Sequence, residues 1–190
     1  MEKERVSAAI SHVRVALQHL GLTEYELPAD ELDLKVTPER IVRMWVELTA
    51  SVRTSPPSIT SFNTRHDEML VLTDIPFTSL CSHHFSPFRG VAHIGYIPNE
   101  SLVGISKPAR VLDYYANQPQ VQERLTAQVA DCIQKTIGPL GVGVILRAEH
   151  TCITCRGARK PGTLFTTSAM RGLFRDDPSV KQEFLTTIGD

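Results

Sequence analysis

The stretch that decides the fold runs from Ser106 to Ile137, SKPARVLDYYANQPQVQERLTAQVADCIQKTI, and it predicts two consecutive helices. Before it, MLVLTDIPF (69–77) and GVAHIGYIP (90–98) have the β-branched and apolar content of strands. After it, VGVILRAEHTCIT (142–154) and TLFTTSAMRGLF (163–174) predict two more strands, and SVKQEFLTTI predicts a closing helix. Two strands, two helices and two strands form an α+β pattern.

The N-terminal part of the chain is helical in pattern. Residues 4–20 repeat apolar side chains every three or four positions, and TPERIVRMWVEL (37–48) opens a second amphipathic helix. The Ser/Thr/Pro-rich segment 51–65 is typical of a loop. We therefore predict an N-terminal helical region with its linker over residues 1–65 and a larger domain over residues 66–190.

The composition narrows the class of protein. The chain has 190 residues, 42% of them hydrophobic and 22% charged, with a formal net charge of −1. This balance lacks the basic excess of a nucleic-acid-binding protein, so a bound anion needs a local cluster of Lys and Arg. The sequence has neither the roughly 18 apolar residues of a membrane span nor the apolar core of a secretory signal. We expect a cytoplasmic protein with reduced cysteines and no nucleic-acid or membrane partner.

A candidate metal site begins at CSHHF (81–85), where Cys81 is followed by His83 and His84. Further along the chain, EHTCITC (149–155) offers one more histidine and two more cysteines. Thiolate and imidazole ligands together suit zinc in tetrahedral geometry. Either of the adjacent histidines can reach a metal held by Cys81, so spacing alone does not choose between them.

The second segment leaves two assemblies open. If Cys152 and Cys155 both bind, the site has four protein ligands and is structural, whereas a single one of them leaves a position for water. Along a straight strand, His150, Cys152 and Arg156 share one face, and Cys155 points the other way. That geometry favours the open site with Cys152, whereas a tight turn at Ile153–Thr154 would reverse the preference.

A candidate anion site lies where VGISKPARVLDYY passes from a strand into a helix. Ser106 suits the N-cap, and Pro108 is tolerated in the first turn. Free N–H groups at a helix start attract anions, and Lys107 and Arg110 share one face of this helix. The pattern fits a phosphate group, although Lys and Arg on a helix also form ordinary solvated faces. Two further arginines can add positive charge, Arg40 and Arg156.

Six motifs, in order, resemble the GTP cyclohydrolase I family: TPERIVRM, CSHHF, YIPNESLVGISKPAR, QPQVQERLT, EHTCITCRG and TTSAMRGLFRDD. The resemblance covers nearly the whole chain, from about Glu4 onward. It implies the tunnelling fold, an antiparallel four-stranded sheet with two helices on one face, preceded by an N-terminal helical region. It also implies a homo-oligomer, a decamer of two stacked pentamers, with active sites between subunits.

The resemblance further implies the reaction. GTP and water give 7,8-dihydroneopterin 3'-triphosphate and formate, through attack of zinc-activated water on guanine C8, ring opening, ribose rearrangement and ring closure. This is the first step of pterin, folate or deazaguanine biosynthesis. The implied Zn²⁺ ligands are Cys81, His84 and Cys152, and the implied proton-transfer groups are His83 and His150.

The family also implies the substrate contacts. A carboxylate at Glu123 accepts hydrogen bonds from the guanine N–H groups, with Gln122 beside it, which is a guanine-selective contact. The residues implied for the triphosphate are Arg40, Ser106, Lys107, Arg110 and Arg156.

The chain departs from the family pattern at two positions. Ser82 replaces the usual acidic residue, and Cys155 stands where a non-ligand residue is usual. One alternative is a structural zinc protein with Cys155 as the fourth ligand. A nucleoside deaminase fits poorly, because the deaminase signature has Pro before its Cys-x-x-Cys segment and here Thr151 precedes Cys152. Another enzyme of the same fold, acting on a pterin or deazapurine, is a third alternative.

Overall fold

The computed structural model describes residues 2–22, 36–64 and 66–189. They belong to two compact units, Met1–Glu47 and Leu48–Asp190. In chain order the elements are α1 (Glu2–His19), α2 (Thr37–Leu48), β1 (Ser61–Asn63), β2 (Leu70–Cys81), β3 (Pro87–Ile97), β4 (Ser101–Val103), α3 (Ser106–Ala116), β5 (Pro119–Gln120), α4 (Gln122–Ile137), β6 (Gly141–His150), α5 (Thr151–Thr154), β7 (Phe165–Gly172), α6 (Leu173–Asp176) and α7 (Pro178–Thr187). A predicted domain boundary at residue 65 stays a prediction.

The first unit contains α1 and most of α2. None of the described residues of α1 is buried. In α2 the buried residues are Pro38 and Val42, while Met44 is exposed. None of the described helices combines the length and the hydropathy that a membrane span requires.

The second unit is built on an antiparallel sheet in the order β2-β3-β6-β7. The two-residue strand β5 extends its edge by pairing parallel to β2, and β1 and β4 form a separate two-stranded sheet. Along the chain, β2 and β3 precede the helices α3 and α4, and β6 and β7 follow these helices, as the pattern predicted. The predicted α+β class, with the four-stranded antiparallel sheet of the tunnelling fold, is confirmed.

The main core lies between this sheet and the helices α3 and α4. Strand alternation directs Val142, Val144 and Leu146 of β6 into it, and each is fully buried. From α4, Leu125, Val129 and Ile133 recur at helical spacing and are equally buried. The helix α4 ends at Gly138, whose φ of +66° gives the left-handed conformation common after a helix.

The opposite face of the sheet carries a smaller core under α6 and α7. Phe174 and Phe184 are fully buried there and meet edge to face. They lie so close to the sheet that a Cβ on Gly143 would be 2.4 Å from Cδ1 of Phe174. Gly143 and the two phenylalanines occupy the end of the sheet where β3 ends and β6 begins. The other end of the sheet, where β2 and β6 end, is left for the candidate site.

Candidate functional site

The ends of β2 and β6 and the starts of β3 and β7 lie at one end of the main sheet, and they bring the predicted site residues together. Cys81 is the last residue of β2, and His150 is the last residue of β6. Cross-strand pairing sets Phe88 of β3 opposite His150, and Ala148 opposite Phe165 of β7. The 69 positions that separate Cys81 from His150 in sequence are thus bridged by the register of β3 with its two neighbours.

The CSHHF segment forms a tight loop between β2 and β3. Cys81 donates its N–H to the carbonyl of Ser86 at 2.9 Å, and Phe85, with φ of +49°, donates its N–H to the carbonyl of Cys81 at 2.8 Å. Ser82 donates its N–H to the carbonyl of Gln120 at 2.8 Å, which ties the loop to β5, directly before α4. The loop therefore holds the Cys81 thiol buried while the two histidine rings remain exposed.

Cys152 comes from a different local structure than the straight strand assumed from the sequence. The strand β6 ends at His150, and α5 forms a single helical turn. The hydroxyl of Thr151 donates to the carbonyl of Pro87 at 2.6 Å, so this turn is fastened to the first residue of β3. Burial raises the pKa of the Cys152 thiol, and the neighbouring Cys81 raises it further.

Cys81, His84 and Cys152 form a group whose candidate ligand atoms all lie within 4.8 Å of one another. We call these three residues the metal corner. Their thiol and imidazole donors suit zinc, and a tetrahedral zinc separates neighbouring donors by roughly 3.5–3.8 Å. The 3.9 Å between Sγ of Cys81 and Nδ1 of His84 is close to that separation. The residues present therefore fit a metal ion.

Cys155 is not part of this group. It is exposed, and its thiol donates to the carbonyl of Thr151 at 2.7 Å. The chain does turn after His150, yet this turn does not bring Cys155 to the group, as the four-ligand alternative would require. Cys132, by contrast, packs against the main core.

His150 is fixed on three sides at the edge of the metal corner. The ring of Phe88 stacks on it with centroids 4.3 Å apart and an interplanar angle of 8°, and Phe165 meets it edge-on at 5.9 Å. Its Nε2 lies 2.8 Å from Oε1 of Gln122. Burial lowers the pKa of His150, while the negative charge of Glu123 acts in the opposite direction.

A cavity of about 320 Å³ opens beside these groups, at the small end of the range for ligand sites. The predicted site residues among those lining it are Cys81, His83, His84, Gln122, Glu123, His150 and Cys152. His83 is exposed, and its ring lies 6.4 Å from that of His84 at nearly a right angle. One cavity thus joins the candidate metal ligands, two further imidazoles and a carboxylate.

Most of the candidate anion-binding residues lie on α2 or α3, whereas Arg156 is close enough to Cys152 for its positive charge to act against the raised pKa of that thiol. Ser106, Lys107 and Arg110 stand in the first turns of α3, and Arg156 follows α5; we call these four residues the anion cradle. None of them is among the residues that line the cavity. Ser106 is the first residue of α3 and not its N-cap, a position that Ile105 occupies without a side-chain hydrogen bond. Arg40 is exposed on α2, in the first compact unit.

Several residues of the site were missed in the sequence. Phe88 and Phe165 hold the His150 ring, and Gln120 links the CSHHF loop to α4. The register between β3, β6 and β7 brings the two phenylalanines to His150, and the pairing of β5 with β2 places Gln120 beside Cys81. No local pattern encodes these registers. Gln120 gave no signal in the sequence, because its burial, with 1% of its surface exposed, is visible only in the folded chain.

Comparison with known proteins gives a consistent result. Residues 11–189 match the GTP cyclohydrolase I family. The protein named GTP cyclohydrolase 1 in Mycobacterium bovis is 44% identical to this chain, over 98% of this chain and 91% of that protein. The protein of the same name in Mycobacterium ulcerans is 47% identical, over 91% of this chain and 87% of that protein. A solved structure, archaeosine synthase QueF-Like in the apo form, has a TM-score of 0.46 at 16% identity over 57% of this chain and 97% of that chain. The chain belongs to the GTP cyclohydrolase I family.

Proposed function

We propose that this chain is a zinc-dependent GTP cyclohydrolase I, which converts GTP and water to 7,8-dihydroneopterin 3'-triphosphate and formate. Family membership supports the activity, and one observation carries the assignment to this site. The metal corner, His83, His150 and Glu123 all border a single cavity. A structural zinc site has no need of two further imidazoles and a carboxylate beside it.

Cys81, His84 and Cys152 would hold the zinc and leave one position of a tetrahedron for water. A zinc ion in such a site lowers the pKa of water toward 7, which supplies a hydroxide near neutral pH. The burial of the Cys81 thiol, and the hydrogen bond from Thr151 to Pro87 that holds the turn of Cys152, would keep these ligands in position before zinc binds. Zinc as the metal is part of the proposal, since the three donors would also accept other ions.

His83 and His150 would move protons while the guanine ring opens and the ribose carbons rearrange. Imidazole suits this work because it exchanges a proton near neutral pH. For His150, burial favours the neutral ring, which is the form that accepts a proton. His83 lies on the exposed CSHHF loop and can reach solvent, so it is suited to exchange protons with bulk water.

The nucleotide contacts follow from the motifs. Glu123 would accept hydrogen bonds from the guanine N–H groups at the cavity, and Gln122 is the neighbouring residue that the family motif implies. Charge-assisted hydrogen bonds that two N–H groups donate to one carboxylate favour guanine over adenine. The triphosphate would be held by the anion cradle together with Arg40.

A homo-oligomer, a decamer of two stacked pentamers in the family pattern, would unite these contacts. Ser79 near the end of β2 donates its hydroxyl to the carbonyl of Ala116 at 2.7 Å, so the last residue of α3 lies beside the site. With a rise of about 1.5 Å per residue, α3 begins about 15 Å away from that point. We propose that Ser106, Lys107 and Arg110 of one copy serve the metal corner of another. A cytoplasmic location stays a prediction.

The test is a single assay of the purified, zinc-analysed protein with GTP, in which formate and the fluorescent oxidised pterin are followed together. We expect both products from the wild-type chain and neither from His84→Ala. Formate without pterin would mean that the ring opens but the ribose rearrangement fails. Neither product, from a protein with firmly bound zinc, would refute the proposed activity.

A further inference from the structure

The side chain of Gln122 is almost entirely committed within the chain. It is 1% exposed, at the first residue of α4. Its Nε2 donates toward three acceptors, the carbonyl of Leu146 at 3.1 Å, the carbonyl of Phe165 at 2.9 Å and the hydroxyl of Thr167 at 3.1 Å. Its Oε1 lies 2.8 Å from Nε2 of His150. Both ends of the carboxamide are therefore occupied.

These partners fix which end of the amide faces His150. Carbonyl oxygens only accept hydrogen bonds, so the atom of Gln122 that faces Leu146 and Phe165 must be its NH₂ group. Rotation of the amide by half a turn would bring its oxygen against two carbonyl oxygens in a buried place, and neither of these can donate to it. Oε1 therefore points to His150.

The orientation of the amide in turn selects the tautomer of the histidine. An amide oxygen is only an acceptor, so the ring nitrogen 2.8 Å from it must carry the proton. In a neutral imidazole one nitrogen is a donor and the other an acceptor, and the hydrogen bond at one decides the state of the other. The stacked ring of Phe88 and the edge-on ring of Phe165 hinder the ring from turning away.

We propose that Gln122 is a positioning residue that holds His150 as the Nε2–H tautomer and leaves Nδ1 as its proton acceptor. The inference rests on the proposed function for its consequence in catalysis, but the tautomer itself does not depend on any activity. It assigns Gln122 a role through His150 instead of a side-chain contact with guanine, which leaves Glu123 as the guanine-binding side chain of this pair.

The tautomer can be read directly. Zinc-loaded protein with ¹⁵N-labelled histidine, without GTP and at mildly alkaline pH where imidazole is neutral, is measured by solid-state NMR, which tolerates a large oligomer. The His150 signals are identified by their absence in His150→Asn. We expect protonated Nε2 and bare Nδ1. A wild-type His150 with its proton on Nδ1 would overturn the proposal, whether or not the protein releases formate from GTP.

Two variants then separate positioning from substrate binding. Gln122→Met keeps the length of the side chain but cannot accept from His150, so we expect a mixture of tautomers. The kcat should fall by roughly 10- to 100-fold, the range for partners that orient a functional histidine, with the KM for GTP within about twofold of wild type. Thr167→Val is the matched control, because it removes one acceptor of Nε2 and leaves both carbonyls. We expect it to keep the tautomer and kcat.

The outcomes are distinct. A rise in KM with unchanged kcat and an unchanged tautomer in Gln122→Met would mean that Gln122 binds guanine, and would overturn the positioning role. If Gln122→Met fails to fold, the tautomer of His150 in the wild-type chain still tests the proposal. A wild-type chain that shows the Nε2–H tautomer but yields no formate would refute the proposed function and leave the geometry of Gln122 and His150 intact.

Discussion

The two halves of the candidate site are built differently. The metal corner and the adjacent His150–Gln122 pair are held by partly buried hydrogen bonds and stacked rings within one chain. The anion cradle is largely exposed, and the Nζ of Lys107 makes one long contact, 3.5 Å, to the carbonyl of Ser58. One half is fixed before any ligand binds, whereas the other has donors free to adapt.

The difference follows from the chemistry each half is proposed to perform. A metal ion and a proton acceptor work only within tenths of an ångström of the right geometry, so their ligands need support from surrounding residues. A triphosphate is flexible and carries several negative charges, and it can be gathered by long cationic side chains that order on binding. Substitutions in the two halves should therefore have different effects.

The largest effect should come from breaking the metal corner. Cys152→Ala removes one of three proposed ligands, and we expect zinc to be lost and formate release to fall by at least about 10³-fold. Cys155→Ala is the matched control three residues away, and it should keep both zinc and activity. Zinc content by elemental analysis and formate from GTP are measured in parallel. Loss of zinc in Cys155→Ala would show that Cys155 is a ligand and that the metal corner is wrongly assigned.

The metal corner also shows how far the sequence could be read. CSHHF and EHTCITC indicated the ligand types, and the family resemblance selected His84 over His83. The face assignment that favoured Cys152 assumed a straight strand, yet the chain turns into α5 directly after His150. Cys152 still joins Cys81, because the Thr151 hydroxyl fastens that turn to Pro87, a contact across 64 positions that no local pattern reveals.

The fold was predictable for a related reason. The strands and helices of the second unit are long and strongly patterned, so their type and order could be predicted from periodicity. The short pair β1 and β4 was missed, since three-residue strands carry almost no pattern and segment 61–63 resembled a loop. The partners of Gln122 were equally hidden, because they depend on the register of β6 with β7.

The next effect tests the cradle. Arg110→Ala removes a proposed triphosphate ligand, and we expect the KM for GTP to rise roughly 10- to 100-fold, equivalent to about 1.5–3 kcal/mol for a hydrogen bond to a charged group. Zinc content and the tautomer of His150 should not change, since Arg110 contributes nothing to the metal corner. Steady-state kinetics at several salt concentrations provide the measurement, and an unchanged KM would remove Arg110 from the cradle.

Mixing variants asks whether the two halves come from different copies. A chain with Cys81→Ala keeps its cradle, and a chain with Lys107→Ala and Arg110→Ala keeps its metal corner. When the two are co-expressed, up to about a quarter of the sites in a randomly mixed oligomer should combine the intact halves. Recovered formate release would support a shared site. If mixed oligomers form and no activity returns, each site is made by one chain.

A smaller effect concerns a buried histidine outside the site. The Nδ1 of His93 accepts the N–H of Asp74 at 3.3 Å, and its Nε2 has no partner among the described residues. Burial lowers the pKa of His93, so the unfolded chain binds this proton more readily than the folded one. The stability should therefore fall as the pH drops below about 6.5, by less than about 1.4 kcal/mol per pH unit for this group.

His93→Gln removes that titrating group, and the loss of stability toward acid pH should become shallower. Denaturant unfolding at a series of pH values gives the slope. His12→Gln, at an exposed position on α1, is the control and should leave the slope as it is in the wild-type chain. An equal slope in His93→Gln and wild type would assign the acid sensitivity to other groups.

The smallest effect compares the two halves by stability alone. The hydroxyl of Thr167 accepts a hydrogen bond from the side-chain amide of Gln122, and it lies 2.6 Å from the hydroxyl of Thr126. Thr167→Val should therefore lower the free energy of unfolding by about 1 kcal/mol. For a chain of this length that corresponds to a Tm lower by about 2–4 °C. Lys107→Met removes one long exposed contact and should change stability by less than about 0.5 kcal/mol. Equal shifts in Tm for the two variants would mean that the cradle is as firmly built into the folded chain as the residues behind His150, and the contrast between the halves would fail.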